Sequence, residues 1–194
     1  MLKIFNLIIW LSLFIVTSCK KEETIHEQSY SPTSMGSSWT YDGESIESTS
    51  NQMTGRTFKK YNKTYFEKSV STLTDNFSYF GTKDGNNYYS IVPDPNDPKK
   101  ENEVLYLKSD ANIDETWMNE ITYGKELLGS QWMYTMKEKG ISRVVNGKTY
   151  WNVIHTQRIS DGFTIDSYYS LGIGLIEVDY GNGGRSVLRD YDIK

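Results

Sequence analysis

The side chains able to do chemistry in this chain are few and widely spaced. One cysteine, Cys19, and two histidines, His26 and His155, are its whole supply of thiol and imidazole. A zinc site needs three or four such groups at short spacings, so no zinc centre is expected and the metal ligand set is read as none. His155 lies in a strand-like run, Tyr150 to Gln157, where a hydrogen-bonded structural histidine is the ordinary role. A triad built on it would need an exposed nucleophile, and neither a Gly-x-Ser-x-Gly elbow nor a phosphate-cradling glycine loop occurs. Asp110 and Asp114 have the residue types of a glycosidase pair, but among 25 acidic residues such spacings arise by chance. Asp94-Pro95-Asn96-Asp97 and Asp110-Ala111-Asn112-Ile113-Asp114 supply oxygen ligands in the manner of calcium loops. Both lack glycine at the sixth position and glutamate at the twelfth, so both read as solvated loops. Trp39, Trp117, Trp132 and Trp151 are wide apolar surfaces that suit a sugar or lipid site, and suit a core better. No catalytic residue and no cofactor is expected, and the chain reads as a non-enzyme.

Cys19 closes an apolar stretch. Lys3 gives a positive start, and Leu7 to Val16 form ten residues broken only by Ser12. A bilayer span takes about 20 residues, so this run is too short to cross and has the profile of a cleaved export signal, residues 1–18. Val16-Thr17-Ser18-Cys19 resembles the lipobox of bacterial lipoproteins. That resemblance implies diacylation of the Cys19 thiol, cleavage just before it, and palmitate-type chains holding the protein in a membrane. Two or more chains anchor stably. Lys20-Lys21-Glu22-Glu23 resembles the short signal that sends Bacteroidota-type lipoproteins to the outer face of the outer membrane; a solvated start to a tether has the same composition.

Without residues 1–18 the chain carries 20 basic and 25 acidic residues, a net charge of −5. An acidic balance argues against nucleic acid, which selects a basic face. The expected partners are the membrane, through the lipid anchor, and an apolar ligand or a protein. Aromatic residues make up 14% of the chain, with 15 tyrosines and 15 glycines. Tyrosine and tryptophan favour strands, and glycine with Asn and Asp supplies turns, so the fold class is all-β.

Residues 19–34 are polar without periodicity and read as a flexible tether, and a single β domain fills 35–194. Strands are predicted at Met35–Tyr41, on both sides of Tyr61-Asn62, at Phe77–Phe80, Tyr88–Val92 and Val104–Leu107. The proline-rich stretch Pro93–Lys100 is expected to be loop, because proline removes ladder donors. In the second half Trp132, Tyr134 and Met136 alternate with polar neighbours, and Asn146-Gly147 asks for a type I′ hairpin. The return strand Tyr150–Gln157 is apolar on both faces, as a strand covered on both sides would be. Phe163–Ser170, Gly174–Tyr180 and Ser186–Tyr191 complete the set. Ile121–Gln131 is the best helical candidate. Short strands at this spacing predict a large curved antiparallel sheet, a half-barrel or barrel.

Three motif pairs recur in order. Met35–Trp39 matches Ile113–Trp117, Lys63–Phe66 matches Lys148–Trp151, and Tyr88–Ser90 matches Tyr168–Ser170. They suggest two related halves, 35–107 and 113–180, of four or five strands each. The opening Gly36–Tyr41 and the stretch Tyr168–Ile176 resemble those of a loose group of envelope lipoproteins, some of them half-barrels of the LolA and LppX type. The resemblance implies a concave sheet that cradles acyl chains, and it carries across no functional residue except Cys19. The function expected is thus a lipid-anchored outer-membrane protein, surface-exposed and non-enzymatic, acting as a binding scaffold. An acyl-chain carrier and a glycan-binding adhesin stay open as alternatives, with an envelope hydrolase behind them.

Overall fold

The computed structural model describes residues 28–94, 97–121, 130–181 and 184–194. The strands are β1 (Ser38–Glu44), β2 (Thr49–Lys60), β3 (Lys63–Ser71), β4 (Asn76–Asp84), β5 (Asn87–Asp94), β6 (Asp97–Lys108), β7 (Thr116–Ile121), β8 (Ser130–Val145), β9 (Lys148–Ser160), β10 (Phe163–Ser170), β11 (Gly174–Asp179) and β12 (Arg185–Asp192). All twelve join one antiparallel sheet in the order β6-β5-β4-β3-β2-β1-β12-β11-β10-β9-β8-β7. The expected all-β class and curved antiparallel architecture are what the chain adopts, as a nearly closed barrel. Apart from β6 and β7, each strand pairs with its successor, and β12 returns to pair with β1, Trp39 opposite Tyr191.

The last gap, between β6 and β7, is closed without a backbone ladder. Asn119 accepts the Leu105 amide at 2.8 Å and returns its own amide to the Leu105 carbonyl at 3.1 Å. The Trp117 indole donates to the same carbonyl at 2.8 Å. One side-chain amide stands in for the peptide of a neighbouring strand, so the edge peptide of Leu105 is satisfied.

Two long hairpins fold over the face opposite the barrel interior. In the sheet β3 and β6 stand three strand spacings apart, about 14 Å. Yet Lys63 reaches Glu103 at 2.9 Å, Tyr65 hydrogen-bonds the same carboxylate, and Lys60 pairs with Glu101. Likewise Arg143 of β8 meets Glu177 of β11, and the Asn146 amide donates to the Leu188 carbonyl of β12 at 3.0 Å. Both bends occur at a glycine within a register shift: Gly55 (φ +82°) in β2 and Gly140 (φ +66°) in β8. A side chain at positive φ is strained, and glycine is not. These glycines lie 85 residues apart, the offset that relates Lys63 to Lys148.

The two stretches either side of the β6–β7 gap hold six strands each where four or five were expected, and the second runs on to Asp192. The third motif pair is out of step with that division: Tyr88 lies in β5, the fifth strand of its half, and Tyr168 in β10, the fourth of its own. Other corrections are local. Pro93 lies near the end of β5 and Pro98 near the start of β6, so the proline stretch is part strand; the β4–β5 ladder stops at Ile91, and Pro93 has no strand on that side to miss its N–H. The strand expected at Phe77–Phe80 runs further, with β4 reaching Asp84. Ile121 and Ser130 are strand residues, and the core of the expected helix, 122–129, lies outside the described residues. The tether boundary also moves. Ser29 is fully buried and Pro32 is buried, so Ser29–Ser34 is an arm of the folded domain and not a flexible tether.

Candidate functional site

Strand alternation decides what faces the interior. Phe66, Lys68 and Val70 share one phase of β3, and Lys68 is paired across to Tyr79 of β4. Tyr106 comes in from β6, Tyr169 from β10 and Leu175 from β11. Phe66, Lys68, Tyr79, Tyr106, Tyr169 and Leu175 line a cavity of about 310 Å³, within the size range of small-ligand sites. A second cavity, about 280 Å³, adjoins it through Val92, Tyr106 and Tyr169 and runs on to Trp132, Tyr134 and Arg158. The Tyr106 and Tyr169 rings, 6.0 Å apart, stand between the two.

The buried arm covers the first cavity. The Ser29 carbonyl accepts the Gly172 amide at 2.8 Å, and the Tyr30 amide donates to the Tyr88 hydroxyl at 3.2 Å. Ser31 shares a hydrogen bond with the Tyr106 hydroxyl. Pro32 approaches Gly174 closely enough that a Cβ there would meet it at 3.3 Å.

The cavity wall is mostly apolar, and its ionisable groups respond accordingly. Burial pushes the hydroxyls of Tyr79, Tyr106 and Tyr169 up. Burial lowers the Lys68 ammonium to about 8, since removal from water penalises the charged form. Lys68 makes no hydrogen bond or ion pair with a carboxylate among the described residues. Its ammonium rests 4.3 Å from the Trp39 ring and 5.4 Å from that of Tyr79. Arg158, in the adjoining chamber, lies 4.3 Å from the Trp132 ring, and its Nε is buried with no hydrogen-bond partner.

The residues singled out from sequence fall elsewhere. Cys19 and His26 lie outside the described residues. His155 is held by Asp166 at 2.7 Å and Glu138 at 3.1 Å and stacks on Tyr168, so both ring nitrogens face carboxylates and neither faces a serine. Asp110 is bonded by Asn86, and Asp114 stands exposed 4.0 Å from Lys137; both belong to the β6–β7 loop, and neither lines the cavity. Asp94 and Asp97 pair at the β5–β6 ends. No cluster of three metal-ligating side chains occurs among the described residues. Of the tryptophans, Trp39 and Trp117 are core, Trp132 lines the second chamber, and Trp151 is 67% exposed. Sequence reading missed Lys68, Tyr79, Tyr106 and Arg158. For Lys68 the signal was present: a lysine on the apolar phase of Phe66 and Val70.

Fold and site together define a twelve-stranded up-and-down barrel around an apolar, cation-bearing cavity. No family model, curated protein or solved structure matches this chain.

Proposed function

We propose that this chain is a lipid-anchored protein of the outer membrane that binds a small apolar ligand inside its barrel, without catalysis. The observation that carries the binding reading is the aromatic and aliphatic cavity under the Ser29–Ser34 arm. Each methylene buried there adds about 0.8 kcal/mol. The alternative, a surface glycan binder, wants a row of exposed rings. Trp151, Phe77 and Phe163 are exposed, but they lie on β9, β4 and β10 and no ring contact joins them, which favours the internal site. A hydrolase is disfavoured because Asp110, Asp114 and His155 do not line the cavity.

Solvent extraction of the purified native protein, followed by mass spectrometry, tests the ligand. A stoichiometric apolar compound is expected, and an extract identical to that of a control membrane protein would overturn the reading. The anchor is tested separately. Cys19→Ala should abolish labelling by a palmitate analogue and release the protein from membranes; unchanged retention would remove the anchor and the localisation with it.

A further inference from the structure

The chain as a whole is acidic, with 25 acidic and 21 basic residues. Its interior has the opposite sign. The two adjoining cavities are lined by Lys68 at one end and Arg158 at the other, and among the described residues no aspartate or glutamate lines either. On the outer face of the sheet, cations beside a buried carboxylate are matched: Arg143 and Arg185 converge on Glu177. Among the described residues Lys68 has only ring faces, and Arg158 shares a hydrogen bond with the Tyr134 hydroxyl while its Nε has no partner. A cation half-buried against apolar walls is ordinarily paired with an anion, and among the described residues none is supplied.

We infer that the cavity takes an acidic single-chain amphiphile, its anionic head on the Lys68 ammonium and its tail packed toward Tyr106 and Tyr169. This rests on the apolar-ligand reading and adds the sign of the headgroup. A carboxylate and a phosphate both fit, since either accepts charge-assisted hydrogen bonds from an ammonium. The cavity of about 310 Å³ holds roughly ten groups of water's size, which suits a chain of about that many carbons. A cationic amphiphile is excluded by repulsion, and a neutral one leaves the lysine unmatched.

The test uses the full chain in phosphatidylcholine nanodiscs, titrated calorimetrically at neutral pH with decanoate, decyl phosphate and decanol against empty discs. At least one of the two anions should bind about tenfold or more tightly than decanol, as one hydrogen bond to a charged group provides. Which anion binds tighter names the headgroup. In Lys68→Met the preference should vanish while decanol binding persists, and Lys68→Arg should restore it. Equal affinity of all three for the unmodified chain overturns the acidic-ligand inference and leaves the apolar site standing. Binding by none of the three overturns both. A preference retained in Lys68→Met overturns the assignment to Lys68.

Discussion

Replacing Lys68 with methionine should make the ligand-free protein more stable. The ammonium, ordinarily near 10.5, is brought to about 8 by burial. Because the folded value is the lower one, the unfolded chain binds more protons between these limits, and stability rises with pH across that window. At pH 7 both states are protonated, and the full penalty of the buried charge is present. The shift corresponds to about 3 kcal/mol. The faces of Trp39 and Tyr79 return part of it, about 1 kcal/mol for cation–π contacts of this kind. Methionine keeps an unbranched apolar stem and drops the charge, so the expected gain at pH 7 is about 1–3 kcal/mol. In a domain of this size that raises the melting temperature by roughly 2–4 °C per kcal/mol. Paired urea titrations of the two chains at pH 7 and above pH 10 measure it. The tyrosines titrate alike in both chains and cancel in the difference. The gain should shrink as pH rises through 8 to 10.5 and the unmodified lysine loses its proton. A Lys68→Met variant that is less stable at pH 7, or a gain that does not change with pH, would refute the picture of a dry, uncompensated amine.

Three further outcomes follow from the packing. Asn119→Leu leaves the Leu105 amide without its acceptor, costs about 1–3 kcal/mol, and should speed hydrogen exchange at Leu105 before the β1–β12 junction is affected. Glu177→Gln weakens the two arginine contacts that hold β8 over β11. Burial raises the Glu177 carboxyl, but bonds from Arg143 and Arg185 outweigh it and hold the group below its ordinary value. Its contribution is present above that ordinary value and is lost as pH falls through the folded one. The variant should therefore lose about 1–3 kcal/mol at pH 7, and acid titration should bring the two chains together. Gly140→Ala meets no steric neighbour but sits at φ +66°, so pure backbone strain of about 1–2 kcal/mol is expected, read in the urea midpoint.

Local chemistry made much of the fold readable. Tyr61-Asn62 and Asn146-Gly147 mark turns because both positions of each take positive φ, and the structure turns at both. The half-buried alternation of Trp132, Tyr134 and Met136 is a property of one strand and needs no partner to be seen. What was hidden depends on elements far apart in sequence. Tyr150–Gln157 reads as apolar on both faces, and the reason lies in its bend: the distal part of the β8–β9 hairpin crosses β10 to β12 and buries Val153 beside Ile154. Tyr30-Ser31-Pro32 has no periodicity, and its burial exists because there is a cavity for it to cover. Lys68 and Arg158 become neighbours of one interior only when the sheet curls. Asn119 could not be recognised as a seam residue without knowing that β6 and β7 end the ladder.

On the proposed reading, the Ser29–Ser34 arm would link location and occupancy. Were Cys19 lipidated as proposed, nine residues would separate the anchor from Ser29, a reach of at most about 35 Å over ten Cα–Cα steps. The barrel would then be leashed close to the bilayer by chain that runs directly into the arm roofing its chamber. Tension on the leash, from bilayer thickness or a neighbour crowding the barrel outward, would act on the roof before any strand of the wall.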